Sequence, residues 1–232
     1  IELDRVAFRY PHGPEVLRGV TLCIEGGRWV SIVGKNGIGK TTLGKLMNGL
    51  LRPTDGRISV CGLDTSCHPV RTLSQTVGYV FQNPLHSLYA MTIDEEVSFY
   101  PRNQGWPEDR VRRGVRSALT ALGLEARAAD SPFILSAGEQ QRVSIAAVMA
   151  GQPPVLILDE PTLGMARADL DALLALIATL TAQGRLLITI THDLDLVRQS
   201  HRVVVLSDGA VFADGPPREI LAGDFVATVF GK

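Results

Sequence analysis

A chain of 232 residues can bury one large core, or one core with an attached lobe. Hydrophobic content of 45%, charged content of 20% and a formal net charge of -1 describe an ordinary globular protein, and exclude a disordered chain or a basic nucleic-acid-binding surface. No run approaches the roughly 18 apolar residues that span a bilayer, and the N-terminus lacks the charged-then-apolar order of a secretory signal, so the chain is expected in the cytosol. The first residue is Ile rather than Met, which leaves a longer polypeptide open.

From Leu3 to Tyr10 apolar and polar residues roughly alternate, with Val6, Phe8 and Tyr10 on one face, and predict a half-exposed antiparallel strand that Pro11-His12-Gly13-Pro14 ends. Tyr10 either packs in the core or offers its ring to a base, a contact of ~1–3 kcal/mol in nucleic-acid systems. Val20 to Ile24 is a second strand candidate, and Cys23 with Cys61 and Cys67 makes an odd set without paired metal-ligand spacing, expected to be reduced thiols.

Trp29 to Val33 is a short apolar run that reads as a buried strand. The next nine residues, Gly-Lys-Asn-Gly-Ile-Gly-Lys-Thr-Thr over 34–42, fit the pattern G-x-x-x-x-G-K-[ST] without mismatch. Leu43, Leu46, Met47 and Leu50 then fall on one face of a helix. In that strand, loop, helix setting, Gly34, Asn36, Gly37 and Gly39 bring backbone N–H groups to a polyphosphate, and the helix start adds its positive end. Lys40 is placed for the β- and γ-phosphates, the Thr41 hydroxyl for a magnesium ion bridging them, and Thr42 continues the loop into the helix.

A turn over Arg52 to Gly56 leads to a strand over Arg57 to Cys61, and another strand over Val77 to Phe81 ends on Gln82. From there to about residue 152 the patterns are helical and predict a lobe inserted into the nucleotide-binding domain. Val111, Val115, Ala118, Leu119 and Leu122 recur at helical spacing, leaving Arg110, Arg112, Arg113 and Arg116 to a solvated face or a phosphate site. Ser136 is an N-cap for the next helix, which Pro153-Pro154 stops. Val155 to Leu158 is a continuous apolar run, the mark of a strand buried on both faces, and ends in Asp159-Glu160. Leu170, Leu173, Leu174, Ile177 and Leu180 mark a helix closed by Gly184, Leu186 to Thr191 a strand, and Val203 to Leu206 with Ala210 to Ala213 a hairpin before a small terminal helix. The alternation predicts an α/β fold with a mainly parallel sheet, an antiparallel β portion and the helical lobe, with ligands beyond the carboxyl ends of the strands.

A carboxylate after an apolar strand is the usual partner of a phosphate loop, so Asp159 is expected to hold the magnesium ion through its water shell. Glu160 is the candidate base for the attacking water, a role contributing typically ~10²–10⁴-fold. His192, at another strand end, is placed to sense a γ-phosphate, and Gln82 to complete the metal shell or place water.

The phosphate loop, Phe81-Gln82-Asn83-Pro84, Leu135-Ser136-Ala137-Gly138-Glu139-Gln140-Gln141-Arg142, Leu158-Asp159-Glu160-Pro161-Thr162 and Ile190-Thr191-His192-Asp193 together resemble an ATP-binding cassette transporter ATPase in order and spacing. The resemblance covers almost the whole chain and implies one such domain over 1–232 with a helical lobe at about 83–152. It implies that Tyr10 stacks on adenine, that Gln82 belongs to a loop communicating with membrane helices, and that Ser136 and Gly138 form the signature that grips a nucleotide held by a second cassette. The segment from Gln82 through Thr92-Ile93-Asp94-Glu95-Glu96-Val97-Ser98-Phe99 looks like the energy-coupling-factor and cobalt-type branch, whose members import vitamins or transition-metal ions. ATP and Mg2+, a second ATPase subunit, a transmembrane coupling subunit, a substrate-binding membrane subunit and a place on the cytoplasmic face of the membrane follow from that likeness, with no nucleic acid. A non-transport cassette ATPase and a regulatory ATP-binding subunit are the alternatives. Ala137 and Glu139 depart from the family's usual Leu-Ser-Gly-Gly-Gln, and Ala166 stands where an aspartate usually reaches across the dimer. The motifs this chain lends are altered while those it uses are intact, so a heterodimer or fused tandem cassette with unequal sites is expected.

Overall fold

The computed structural model describes residues 1–222. Its largest sheet has six strands in the order β10-β9-β3-β8-β7-β6. These are β3 (Trp29–Val33), β6 (Val77–Val80), β7 (Val155–Asp159), β8 (Leu186–Ile190), β9 (Arg202–Ser207) and β10 (Ala210–Gly215). All neighbours run parallel except β10, which returns antiparallel along β9 as a hairpin. A parallel sheet needs both faces covered, and β3, β7 and β8 are buried at every position.

One face is covered through α1 (Lys40–Met47), which also meets the second sheet. That sheet is antiparallel, in the order β2-β1-β4-β5, from β1 (Glu2–Arg9), β2 (Glu15–Cys23), β4 (Asp55–Val60) and β5 (Leu63–Asp64). Leu43, Leu46 and Met47 of α1 share one core with Val6, Phe8, Leu17 and Ile58 on one side and Ile32, Ile157 and Ile188 on the other. The opposite face carries α3 (Ile93–Asn103), α4 (Glu108–Ala121), α5 (Ala137–Ala150) and α6 (Arg167–Ala182), whose apolar sides meet Val80, Leu156, Leu158 and Leu187. All five residues of the expected stripe are buried, with Leu122 just past the end of α4. Of the off-stripe arginines, Arg110 stacks on the Trp106 ring and Arg112 pairs with Asp109, as a solvated helix face does.

Two hydroxyls interrupt this apolar sheet. Ser31 Oγ and Thr189 Oγ1 lie 3.0 Å apart across β3 and β8, and Trp29 Nε1 donates to the same threonine oxygen at 3.0 Å.

Some expectations shift. Leu50 is not on the first helix, which ends at Met47 before a turn through Asn48 and Gly49, and its side chain is exposed. β1 stops at Arg9, and Tyr10 just beyond it is 41% exposed, although its ring still meets Phe8. The second strand starts at Glu15 rather than Val20. β5, α2 (Val70–Leu73) and α7 (Leu194–Gln199) have no counterpart in the sequence reading, being too short to show a period. The terminal helix is α8, over Pro217–Ile220, and any continuation into 223–232 lies outside the described residues.

Candidate active site

Because β3, β6, β7 and β8 are parallel, their carboxyl ends meet at one edge, and each delivers a candidate residue there. β3 runs into the phosphate loop, β7 ends on Asp159-Glu160, β8 leads to Thr191-His192, and the chain after β6 carries Gln82. Asn36, Gly37, Gly39, Lys40, Thr41, Thr42, Gln82, Asp159, Glu160 and His192 line one cleft of 310 Å³. Gly39 needs its φ of 109° and its missing side chain, since a Cβ would come within 2.9 Å of Leu17 Cδ2. At Gly37, with φ 78°, nothing lies within 4 Å of that position, so the loop backbone faces open space there.

Lys40 Nζ donates to the loop carbonyls of Gly34 at 2.8 Å and Lys35 at 3.0 Å. Burial pulls its pKa below the ordinary lysine value, while Glu160 and Asp159 oppose that shift. Asp159 is almost fully buried. Its Oδ2 accepts from the Tyr79 hydroxyl at 2.8 Å, and its Oδ1 is buried with no partner. Burial pushes the Asp159 pKa up, and the hydroxyls of Tyr79 and Thr41 pull the other way. Tyr79 in turn is held well above the usual phenol range by burial and by the Asp159 charge, so it is a fixed donor.

Glu160 occupies the left-handed region at φ 47°, a conformation that costs a non-glycine residue about 1–3 kcal/mol. Its N–H donates to the Ile190 carbonyl at 2.8 Å, tying the strained residue to the end of β8. Oε2 is 3.4 Å from the Thr191 hydroxyl, and Oε1 is 2.9 Å from His192 Nδ1. A carboxylate only accepts, so Nδ1 carries the proton. Donating to a phosphate through Nε2 as well then requires a doubly protonated ring, or release of Glu160.

Tyr10 stands at the cleft margin, its hydroxyl 3.2 Å from Thr42 Oγ1 and its ring edge-on to Phe8 at 4.8 Å. Ser136 and Gly138 are not among the cleft residues. Ser136 caps α5 from the helical lobe with an exposed side chain, and Gly138 is buried there. A Cβ at Gly138 would fall 2.9 Å from the Gly164 carbonyl, so this glycine keeps α5 close to the loop after Glu160. The altered positions have defined surroundings. Glu139 does not present a free charge, since its carboxylate is held by Ser136 and Arg127. Ala137 is exposed and lies beside Gly164. Ala166 donates only its backbone N–H, to Asp169 at 3.3 Å.

Sequence reasoning passed over Tyr79, Thr191 and Arg127. A tyrosine inside an otherwise apolar buried strand requires a partner for its hydroxyl, and that signal was available for Tyr79. Thr191 and Arg127 act through contacts that no local pattern announces.

A phosphate loop, a buried aspartate with one free oxygen and a glutamate aimed into the same cleft define a P-loop nucleoside triphosphatase. Comparison with known proteins narrows the class. A family profile described as "ABC transporter" matches residues 17–163. The energy-coupling factor transporter ATP-binding protein EcfA of Methanocaldococcus jannaschii is 38% identical over 225 residues, covering 96% of this chain and 81% of that protein. A putative ABC transporter ATP-binding protein of Caldanaerobacter subterraneus is 38% identical over 221 residues, but the chain spans only 39% of its length. Among solved structures, CbiO1 of Clostridium perfringens, described as part of the ABC transporter complex CbiONQ, superposes with a TM-score of 0.86 at 34% identity, covering 98% of this chain and 92% of that one. An ATP-binding cassette dimer in a post-hydrolysis state with ADP and Pi superposes at 0.85 with 28% identity, covering 94% and 98%. The chain belongs to the ABC transporter family, on the ATP-hydrolysing side of it.

Proposed function

We propose that this ABC ATPase is the motor subunit of an energy-coupling-factor-type importer of a vitamin or transition-metal ion, working as a nucleotide-sandwich dimer on the cytoplasmic face of the membrane. The observation that carries the chemistry is the grouping of Lys40, Asp159 and Glu160 in one cleft, with Asp159 Oδ1 buried and unpartnered. A buried carboxylate oxygen without a donor fits a metal shell. Thr41, Gln82 and Asp159 are the residues that would hold Mg2+, which neutralises charge on the phosphates when bound. Lys40 exchanges its two loop carbonyls for β- and γ-phosphate oxygens. Gly34, Asn36, Gly37, Gly39 and Thr42 complete the cradle, and Tyr10 stacks on the adenine. Glu160 orients and deprotonates the attacking water, held in place by its backbone bond to Ile190 and by His192.

Residues 1–232 act as one domain with a helical lobe at about 83–152. Ser136 and Gly138, outside their own cleft, serve a nucleotide held by a second cassette, which the relatives described as dimers support. Phe133, Ile134 and Leu163, all half or more exposed, surround that signature as an association face does.

The membrane side has its own surface. A groove of 320 Å³ opens between the main sheet and α3, lined by Leu50, Val70, Phe81, Tyr89, Phe99 and Tyr100 among others. Its lining takes in Phe81 just before Gln82 and Ser87 and Tyr89 after it, and its apolar walls suit a helix of the transmembrane coupling subunit, which would join the substrate-binding membrane subunit to the motor. In vesicles reconstituted with those subunits, Tyr89→Ala and Phe99→Ala should lower transport severalfold more than basal hydrolysis. Equal loss of both would remove the groove from coupling.

A further inference from the structure

The signature end of α5 is closed on itself. Glu139 Oε2 accepts from the Ser136 N–H at 2.9 Å and from the Ser136 hydroxyl at 2.7 Å, and the Glu139 N–H donates back to Ser136 Oγ at 3.4 Å. The hydroxyl has one proton, and Glu139 takes it. The other carboxylate oxygen, Oε1, accepts from Arg127 Nη1 at 2.5 Å, and Arg127 Nε is fixed on Asp130 Oδ2 at 2.8 Å. Both partners are partly buried, 36% exposed for Arg127 and 23% for Glu139, so salt screens the pair less than a surface contact. Glu139 is held low in pKa by its Ser136 bonds and by Arg127, and stays ionised.

A phosphate arriving at Ser136 therefore meets a second anion already bound to the same two donors. Repulsion between them is tolerable only if the carboxylate is neutralised and has somewhere else to bond. Arg127 supplies both, from the segment between α4 and α5.

We propose that Arg127 is a positioning residue of the composite ATP site: it neutralises Glu139 and draws it off Ser136, freeing the hydroxyl and N–H for a phosphate of the partner's nucleotide. The inference rests on Ser136 contacting that nucleotide.

The test uses the purified transport complex and the ATP concentration for half-maximal hydrolysis. Ser136→Ala checks the underlying reading: it should raise that concentration, and no change would remove Ser136, and this proposal with it. Arg127→Met should raise it about tenfold, because an uncompensated carboxylate then faces the phosphate. Adding Glu139→Gln to Arg127→Met should return the value to within about twofold of wild type, since the charge to be neutralised is gone. If Ser136→Ala has its effect while Arg127→Met has none, or if the double variant stays as weak as Arg127→Met, Arg127 serves only the loop at Asp130 and the proposal fails. Should Arg127→Met not fold, Glu139→Gln alone decides: at least a roughly twofold lower half-maximal concentration supports the rival-anion role, and an unchanged or higher one overturns it.

Discussion

The two helix starts proposed to face phosphate are built on opposite plans. At α1 the N-cap is Gly39 in a left-handed conformation, without a side-chain cap and without an acidic residue in the first turn. At α5 the N-cap is Ser136 in a capping box, with Glu139 in the first turn. The first leaves its N–H groups for an external anion, so an anion bonds to them without displacing a side-chain cap. The second satisfies its own donors and must trade one anion for another. Binding at Lys40 is thus expected to need no help, whereas binding at Ser136 needs a companion that already holds the nucleotide. A dimer that forms around ATP follows from this inequality.

The largest effect that bears on the contrast comes from chemistry at the first site. Glu160→Gln should lower ATP hydrolysis by about 10²–10⁴-fold while leaving equilibrium ATP binding in place. An unchanged hydrolysis rate would remove Glu160 as the base and with it the idea that this cleft is preorganised for reaction.

Tyr10→Ala should weaken nucleotide binding by ~1–3 kcal/mol through lost stacking, read by titration calorimetry. Tyr10→Phe, which loses only the hydroxyl next to Thr42, should bind ATP within a few fold of wild type. A large loss for Tyr10→Phe would shift the role from ring to hydroxyl.

The altered signature and Ala166 predict unequal sites in the assembled dimer. Removing the base from this chain should cost more of the complex's hydrolysis than removing it from the partner cassette, by at least about threefold. The reverse order, or a fully active dimer of this chain alone, would refute the unequal sites.

The smallest effect is on stability and separates the two plans most cleanly. Burial raises the folded pKa of Asp159 above its ordinary value of 3.8, so the folded chain binds that proton more tightly than the unfolded chain does. The protonated group costs nothing below that ordinary value; above it the ionised form subtracts stability, and the loss is complete once pH has risen through the raised folded value. Asp159→Asn should therefore raise the nucleotide-free Tm at pH 7 by about 2–4 °C, with the gain shrinking toward acid pH. A Tm that falls would show that the Tyr79 and Thr41 hydroxyls outweigh the cost of burying the carboxylate.

Much of the active edge was legible because each of its motifs is a short contiguous run standing at a strand end. The sequence alone singles out Lys40, Asp159, Glu160, Gln82 and His192, and the structure brings them to one cleft. Sequence could not supply the conformation of those residues. That Glu160 is strained, that Lys40 folds back on Gly34, and that Tyr79 holds Asp159 from 80 positions away are tertiary facts with no local signature. The pairing of Glu139 has the same origin. Its departure from the usual signature was legible, but its bond to Arg127, twelve residues upstream and on another element, was not. Leu50 was lost for a simpler reason: apolar periodicity continued past the turn at Asn48 and Gly49 that ended the helix.

Ser31 and Thr189 carry a consequence for how the cleft is aligned. β3 reads Trp-Val-Ser-Ile-Val and β8 reads Leu-Leu-Ile-Thr-Ile, both buried on both faces, so an apolar residue one step out of place would be nearly as comfortable. Hydrophobic alternation, which fixes the pairing of a half-exposed strand, is therefore silent between these two. The hydroxyls are not. Ser31 pairs with Thr189 in the observed register, and a slip by one residue would send the two to opposite faces and leave both without a partner in a dry interior. Since β3 delivers Gly34 and β8 delivers His192, this polar contact works as a vernier. It sets the height at which the phosphate cradle and the histidine emerge, although neither hydroxyl lines the cleft.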